Sequence, residues 1–116
     1  MQQALTEKIC SVLDNKKAQN IVIIDIHQQT VIADAFIIAS GRSSIQVQAL
    51  SDDLEETLES ESIRTLRREG YREGRWVVLD YGDVMVHIFH EEERRFYNLE
   101  RLWGSSGNTT EYLPRD

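Results

Sequence analysis

Near the N-terminus, apolar residues return at Leu5, Ile9, Val12 and Leu13, the i, i+4, i+7, i+8 spacing of one helix face, and Asp14-Asn15 reads as the stop. This predicts an amphipathic helix of about three turns. Ile21-Val22-Ile23-Ile24 is too short and too β-branched for an independent helix, so it reads as a strand covered on both faces. Val31-Ile32 and Phe36-Ile37-Ile38-Ala39 supply one or two more strands. Ser40-Gly41-Arg42-Ser43 interrupts that run, and Ser43 with Gln46 three residues on forms a capping box. The helix it opens keeps apolar positions at Ile45, Ala49, Leu50, Leu54 and Leu58, to about residue 60.

Residues 64 to 75 hold five arginines and two glycines and read as a loop. Trp76-Val77-Val78-Leu79 and Val84 to Phe89 follow as two strands joined by Asp80-Tyr81-Gly82-Asp83, a hairpin signal. The polar stretch from His90 to Arg95 opens a third helix whose apolar side is Phe96, Leu99 and Trp103. Helices mixed among strands, with a hairpin near the end, predict an α/β fold: a mixed β-sheet with flanking helices, and too few of them to assure cover on both sides. The length of 116 residues fits one domain, placed at residues 1–103. The small, polar remainder, 104–116, is expected to be a flexible tail.

Thirteen Lys plus Arg against twenty Asp plus Glu give a net charge of −7, which repels phosphate backbones and anionic lipid. Little direct nucleic-acid binding is expected, and a basic protein is the better partner. Cys10 is the only cysteine, so neither an intramolecular disulfide nor a cysteine-based zinc site can form. That suits a reducing cytoplasm. The N-terminus lacks a basic leader, and no aliphatic run nears the ~20 residues of a membrane span, so neither export nor a membrane location is expected.

Several constellations invite chemistry and have plainer readings. His87 and His90-Glu91 resemble a metal-ligand cluster, but strand alternation turns positions 87 and 90 to opposite faces; a sheet-face histidine and a helix start explain them, and no metal is expected. Asp80 and Asp83 flank a tight turn, while Gly41 and Ser43 lie between a strand and a helix N-terminus. Together these suggest a nucleotide-transfer site, although two-metal chemistry wants carboxylates at i, i+2 on one strand face. Turn formation is the simpler role. The second helix carries Asp52, Asp53, Glu55, Glu56, Glu59 and Glu61 outward, a solvated face or a dock for a basic partner or for the chain's own arginine loop.

The hairpin says more. Alternation puts Trp76, Val78 and Asp80 on one face and Val77, Leu79 and Tyr81 on the other, while Met85, His87 and Phe89 alternate with Val84, Val86 and Ile88. The β-branched set belongs in the core, which leaves Met85, His87 and Phe89 at a less buried face beside Trp76 and Asp80. Aromatic and Met groups rimmed by charge are what interface centres use.

The block from Trp76 through Asp80-Tyr81-Gly82-Asp83 to His90, running into Phe96-Tyr97-Asn98-Leu99-Glu100-Arg101-Leu102-Trp103, resembles the signature of the Iojap-like ribosomal silencing factors. Ala33-Asp34-Ala35-Phe36-Ile37-Ile38-Ala39-Ser40-Gly41-Arg42-Ser43-Ser44 and Val47-Gln48-Ala49-Leu50 resemble that family's other block. The sequence departs from the family at Met85, where valine is frequent, and at Asn98, where aspartate is common. The resemblance implies a nucleotidyltransferase-like topology without transfer activity, hence no enzyme and no cofactor. It implies binding to the large ribosomal subunit through its protein fourteen, steric blocking of subunit association, and repression of translation when nutrients are short. Trp76, Asp80, Tyr81, Asp83, His87 and Glu91 carry over as partner-contact candidates. A metal-dependent nucleotidyltransferase-like enzyme using Gly41, Ser43, Asp80 and Asp83 is the alternative, and a homodimer would also fit an exposed sheet face.

Overall fold

The most apolar run of the chain takes the most enclosed position. In the computed structural model, which describes residues 2–105 and 107–113, strand β2 (Ala35–Gly41) is buried at all seven residues. Around it, among the described residues, the chain forms α1 (Gln2–Asn15), β1 (Gln19–Asp25), α2 (Ser44–Glu59), β3 (Arg67–Glu69), β4 (Trp76–Asp80), β5 (Val84–His90), α3 (Glu91–Tyr97), α4 (Leu99–Trp103) and β6 (Thr109–Glu111). The sheet order is β3-β4-β5-β2-β1-β6. Only β2 and β5 pair in parallel, joined by the long crossover that such a pair requires; the other neighbours are antiparallel. The mixed α/β sheet expected from the sequence is the one observed.

Alternation divides the sheet into two unequal faces. Ile37, Ala39, Val77, Leu79, Val84, Val86 and Ile88 point to one side, where Ile9 and Leu13 of α1 and Val47, Leu50, Leu54 and Leu58 of α2 seal them. Cys10 lies in this layer, and burial pushes its thiol up to about 12, which keeps it protonated and unreactive. The apolar stripe of α2 differs from the expected one: Ile45 and Ala49 face outward, and Val47 takes the place nearest the sheet. Its approach is close, since a Cβ on Gly41 would stand 3.1 Å from the Val47 side chain. The cap forms with one change of partner. Ser43 accepts from Gln46 N at 3.0 Å, but the Gln46 carboxamide takes the amide of Arg42, one residue before the cap.

Three other expectations are corrected. Val31-Ile32 is no strand: Asp25 pairs with Ala35, so residues 26–34 are the connection between β1 and β2, and both side chains are exposed. The arginine-rich loop contains β3, an edge strand that pairs with β4 and lies against the acidic face of α2. There Arg68 meets Glu55 at 2.9 Å and stacks 4.0 Å over the Tyr71 ring, whose hydroxyl donates to Asp52 at 2.7 Å. Of the stretch assigned to a flexible tail, Thr109–Glu111 forms β6, paired with Val22–Ile24 of β1, while residues 106 and 114–116 lie outside the described residues. Asn108 fixes β6 by donating from its side chain to the carbonyls of Asp25 and Trp103, at 2.9 and 3.1 Å. Backbone pairing of this kind leaves little trace in a small, polar composition.

The single third helix becomes two. Asn98 adopts a left-handed conformation (φ 48°, ψ 58°), ends α3 and caps α4. The break turns Leu99 and Trp103 onto the second sheet face and leaves Phe96 79% exposed rather than in the core. Arg94 fastens the pair of helices: its Nε donates to Glu100 at 2.9 Å, and its guanidinium also reaches Ser40 Oγ at 2.7 Å and the Gln19 carbonyl at 3.4 Å. Arg94→Met removes this clamp and strands Glu100, and is expected to cost about 2–3 kcal/mol after allowance for the partly solvated carboxylate. Urea unfolding tests this, with Arg94→Met/Glu100→Leu recovering part of the loss. A single-variant midpoint equal to wild type would show that the clamp contributes nothing.

Candidate functional site

Two short helices cannot roof a six-stranded sheet. Leu99 and Trp103 cover Ile24, Phe36 and Ile38, while Trp76, Val78 and Asp80 of β4 and Met85 of β5 stay half-buried. The register extends this open face to the sheet edge, because Arg67 stands opposite Asp80 and Glu69 opposite Val78. Those two exposed side chains form an ion pair at 3.4 Å.

Trp76 is the largest group on the face. Its indole stacks on Phe89 with centroids 4.9 Å apart and planes 24° apart, and Tyr97 of α3 leans on it at 4.7 Å. Its Nε1–H donates to Nδ1 of His87 at 3.1 Å. His87 is buried, which holds its pKa down at about 4 and keeps the ring neutral. A neutral ring that accepts at Nδ1 carries its proton on Nε2. That nitrogen finds no partner among the described residues.

The turn beyond β4 is built from its own aspartates. Asp80 Oδ1 accepts from Gly82 N at 2.8 Å, and Gly82 sits at φ +88°, where a side chain would be strained. Asp83 uses its backbone carbonyl to accept from Asp34 N at 2.7 Å, which leaves an exposed carboxylate beside the open face. Both aspartates therefore shape a turn and retain carboxylate oxygens for a partner.

The six candidates from the sequence do not form one patch. Trp76, Asp80 and Asp83 border the open face. Tyr81 turns to the helix-covered side, accepts from Thr65 Oγ1 at 3.2 Å, and is held by burial above the ordinary tyrosine pKa. His87, expected at a half-exposed face, lies beneath Trp76, with Phe36 edge-on at 4.6 Å. Glu91 starts α3 at the far end of β5, about 20 Å of strand from the Asp80 turn. Phe96, expected on the apolar side of the third helix, and Tyr97 were not among the contact candidates, because the left-handed residue that ends α3 beside them is invisible to periodicity.

The same geometry separates the groups of the enzyme alternative. Gly41 pairs with His90 at one end of the β2–β5 ladder, and Asp80 and Asp83 lie at the other, about 17 Å of strand away. The N-terminus of α2 is occupied by Ser43 and Gln46. His90 accepts from Glu92 N at 3.2 Å as the cap of α3, and among the described residues no three His, Cys, Asp or Glu side chains come together as a metal site would need.

Residues 1–115 match the family described as "Ribosomal silencing factor during starvation". A "Ribosomal silencing factor RsfS" of Halalkalibacterium halodurans is 42% identical over 104 residues, covering 90% of this chain and 89% of the relative. One from Bacillus subtilis is 38% identical over 105 residues, with 90% and 89% covered. A crystal structure of a Bacillus halodurans protein superposes with a TM-score of 0.82 at 39% identity, covering 95% of this chain and 99% of that one.

The buried histidine has a pH signature. Unfolded, it takes up a proton near 6.5; folded, only near about 4. Its contribution to stability is complete above 6.5 and is lost as pH falls toward 4, by about 3 kcal/mol. His87→Phe is expected to remove that slope from a plot of Tm against pH. His27, whose pKa is raised by its hydrogen bond with Asp25, is present in both proteins and cancels in the comparison. Parallel curves between pH 4 and 6.5 would show that the folded imidazole is freely protonated.

Proposed function

The chain belongs to the ribosomal silencing factor family, and from that premise we propose that it binds the large ribosomal subunit through its protein fourteen. In this reading the bound factor covers the surface that meets the small subunit and represses translation when nutrients are short. A factor of this kind acts in the cytoplasm. Its mechanism is occlusion, and no bond is made or broken. The single observation that carries the reading is the unroofed strip of sheet in which Trp76 stands with Asp80 and Asp83 at its end. It combines an aromatic anchor with a rim of the sign that suits a basic partner.

The charge distribution supports a protein rather than RNA as the direct contact. Of the five arginines in residues 64–75, Arg68 pairs with Glu55 and Arg75 with Glu92 and Glu93, while Arg67, on the open face, pairs with Glu69. Part of the segment's charge is thus neutralised within the chain, and the carboxylates of Asp80 and Asp83 beside the open face oppose a phosphate backbone.

Trp76→Ala is expected to leave a folded protein that no longer sediments with large subunits. A loss of 2 kcal/mol or more in binding corresponds to roughly thirtyfold or more in Kd. Wild-type factor added before small subunits is expected to prevent whole ribosomes from forming, and normal subunit joining under saturating factor would overturn the proposal. Rising salt is expected to weaken binding chiefly through a slower association rate, as measured by stopped flow; an association rate indifferent to salt would remove the electrostatic part of the reading.

A further inference from the structure

We infer that His87 is a positioning residue of the partner-binding face, which fixes the Trp76 indole in one orientation through the Nε1–H to Nδ1 hydrogen bond and touches no partner itself. The inference rests on the reading of Trp76 as the anchor.

The contacts of the indole differ in what they can specify. Stacking on Phe89 and the lean of Tyr97 tolerate sliding and rotation, because ring faces attract without a sharp angular demand. The bond to His87 at 3.1 Å is directional, and breaking it leaves a buried acceptor empty. His87 is itself held on both sides. It stands opposite Val78 and Ile38 in the ladders, and Phe36 meets it edge-on at 4.6 Å while meeting Trp103 of α4 at 5.3 Å. The placement of α4 is thus relayed through two rings to the hydrogen bond that sets Trp76.

Burial excludes direct contact, since only 5% of the His87 surface is accessible. Packing alone does not call for a histidine there either. A leucine or phenylalanine would fill the layer without leaving Nε2 unpartnered. The bond to Trp76 is the return for that unpartnered nitrogen. A pre-oriented indole need not be ordered when the partner arrives, so more of its contact energy appears as affinity.

The test uses the full chain labelled with 15N, with the Trp76 indole proton assigned by comparison with Trp76→Phe. His87→Phe keeps bulk and removes the acceptor; His87→Asn restores an acceptor oxygen near the Nδ1 position. In His87→Phe the indole proton is expected to exchange with solvent at least tenfold faster, and Kd for isolated large subunits to rise five- to tenfold. His87→Asn is expected to recover both. Where His87→Phe does not fold, His87→Leu, which is closer to histidine in volume, carries the same comparison. An unchanged exchange rate and affinity in His87→Phe, with binding abolished in Trp76→Ala, overturns the positioning role and leaves the partner reading standing. A protected indole proton in His87→Asn with affinity still low overturns it too. If Trp76→Ala binds as wild type, it is the partner reading that falls, and the exchange rates alone decide whether His87 fixes the ring.

Discussion

The architecture depends on one inequality: the sheet has two apolar faces, and the chain has enough helix to seal only one. α1 and α2 together offer thirty residues to the first face, whereas α3 and α4 offer twelve to the second. The short pair must therefore sit where it covers most, over the central β1–β2 region, and β4 is left uncovered. Arg94 is what allows so small a roof to stay in place, since it ties α3 to the strand ends and to α4 through a carboxylate, a hydroxyl and a carbonyl. The open strip is thus the remainder of the fold's own arithmetic. A partner surface placed there needs no further element to build it.

Charge follows a similar economy. The chain is acidic overall, yet its most basic segment lies directly on its most acidic helix, so the like-charge pairs along α2 that would weaken an isolated helix are relieved from outside. What the segment neutralises there it cannot offer to a phosphate backbone. At the end of the strip Asp80 has Arg67 across the ladder, whereas Asp83 keeps an exposed carboxylate.

Much of this was legible in the sequence, and the parts that were not share a cause. The period-two pattern from Trp76 to Phe89 identified both faces of the hairpin, and the run Phe36–Ala39 marked a strand but not its central place; the run expected to be covered on both faces, Ile21–Ile24, is only half-buried at Val22 and Ile23. The capping box at Ser43 marked the start of α2. Local pattern failed where a single backbone conformation or a distant pairing decides the outcome. Asn98 in the left-handed region divides one expected helix into two and reverses the direction of Phe96. Asn108 anchors an edge strand through side-chain bonds to residues 83 and 5 positions away. Val31-Ile32 looks like a strand and is a connection, because the Asp25–Ala35 register is settled by β1 and β2 together. For the candidate site the alternation placed Trp76 and Asp80 correctly, but it could not give depth. His87 shares their face and is buried all the same, because its neighbours Phe36 and Trp76 are large.

An open apolar strip is also a hazard, and the way it is bordered argues for a specific and reversible contact. β3 and β6, the two edge strands, are three residues each, too short to template a further strand efficiently. Arg67 and Glu69 place charge along the exposed margin of the strip, and Asp80 and Asp83 place it at the end. Non-specific association must desolvate these groups without pairing them, which is costly, whereas a basic protein surface pairs them. Trp76 meanwhile keeps part of its ring against Phe89 and Tyr97 even when unbound, so the free chain exposes less apolar area than the residue's size suggests. The proposed binding face thus combines an anchor able to discriminate with a setting stable enough to exist without a partner.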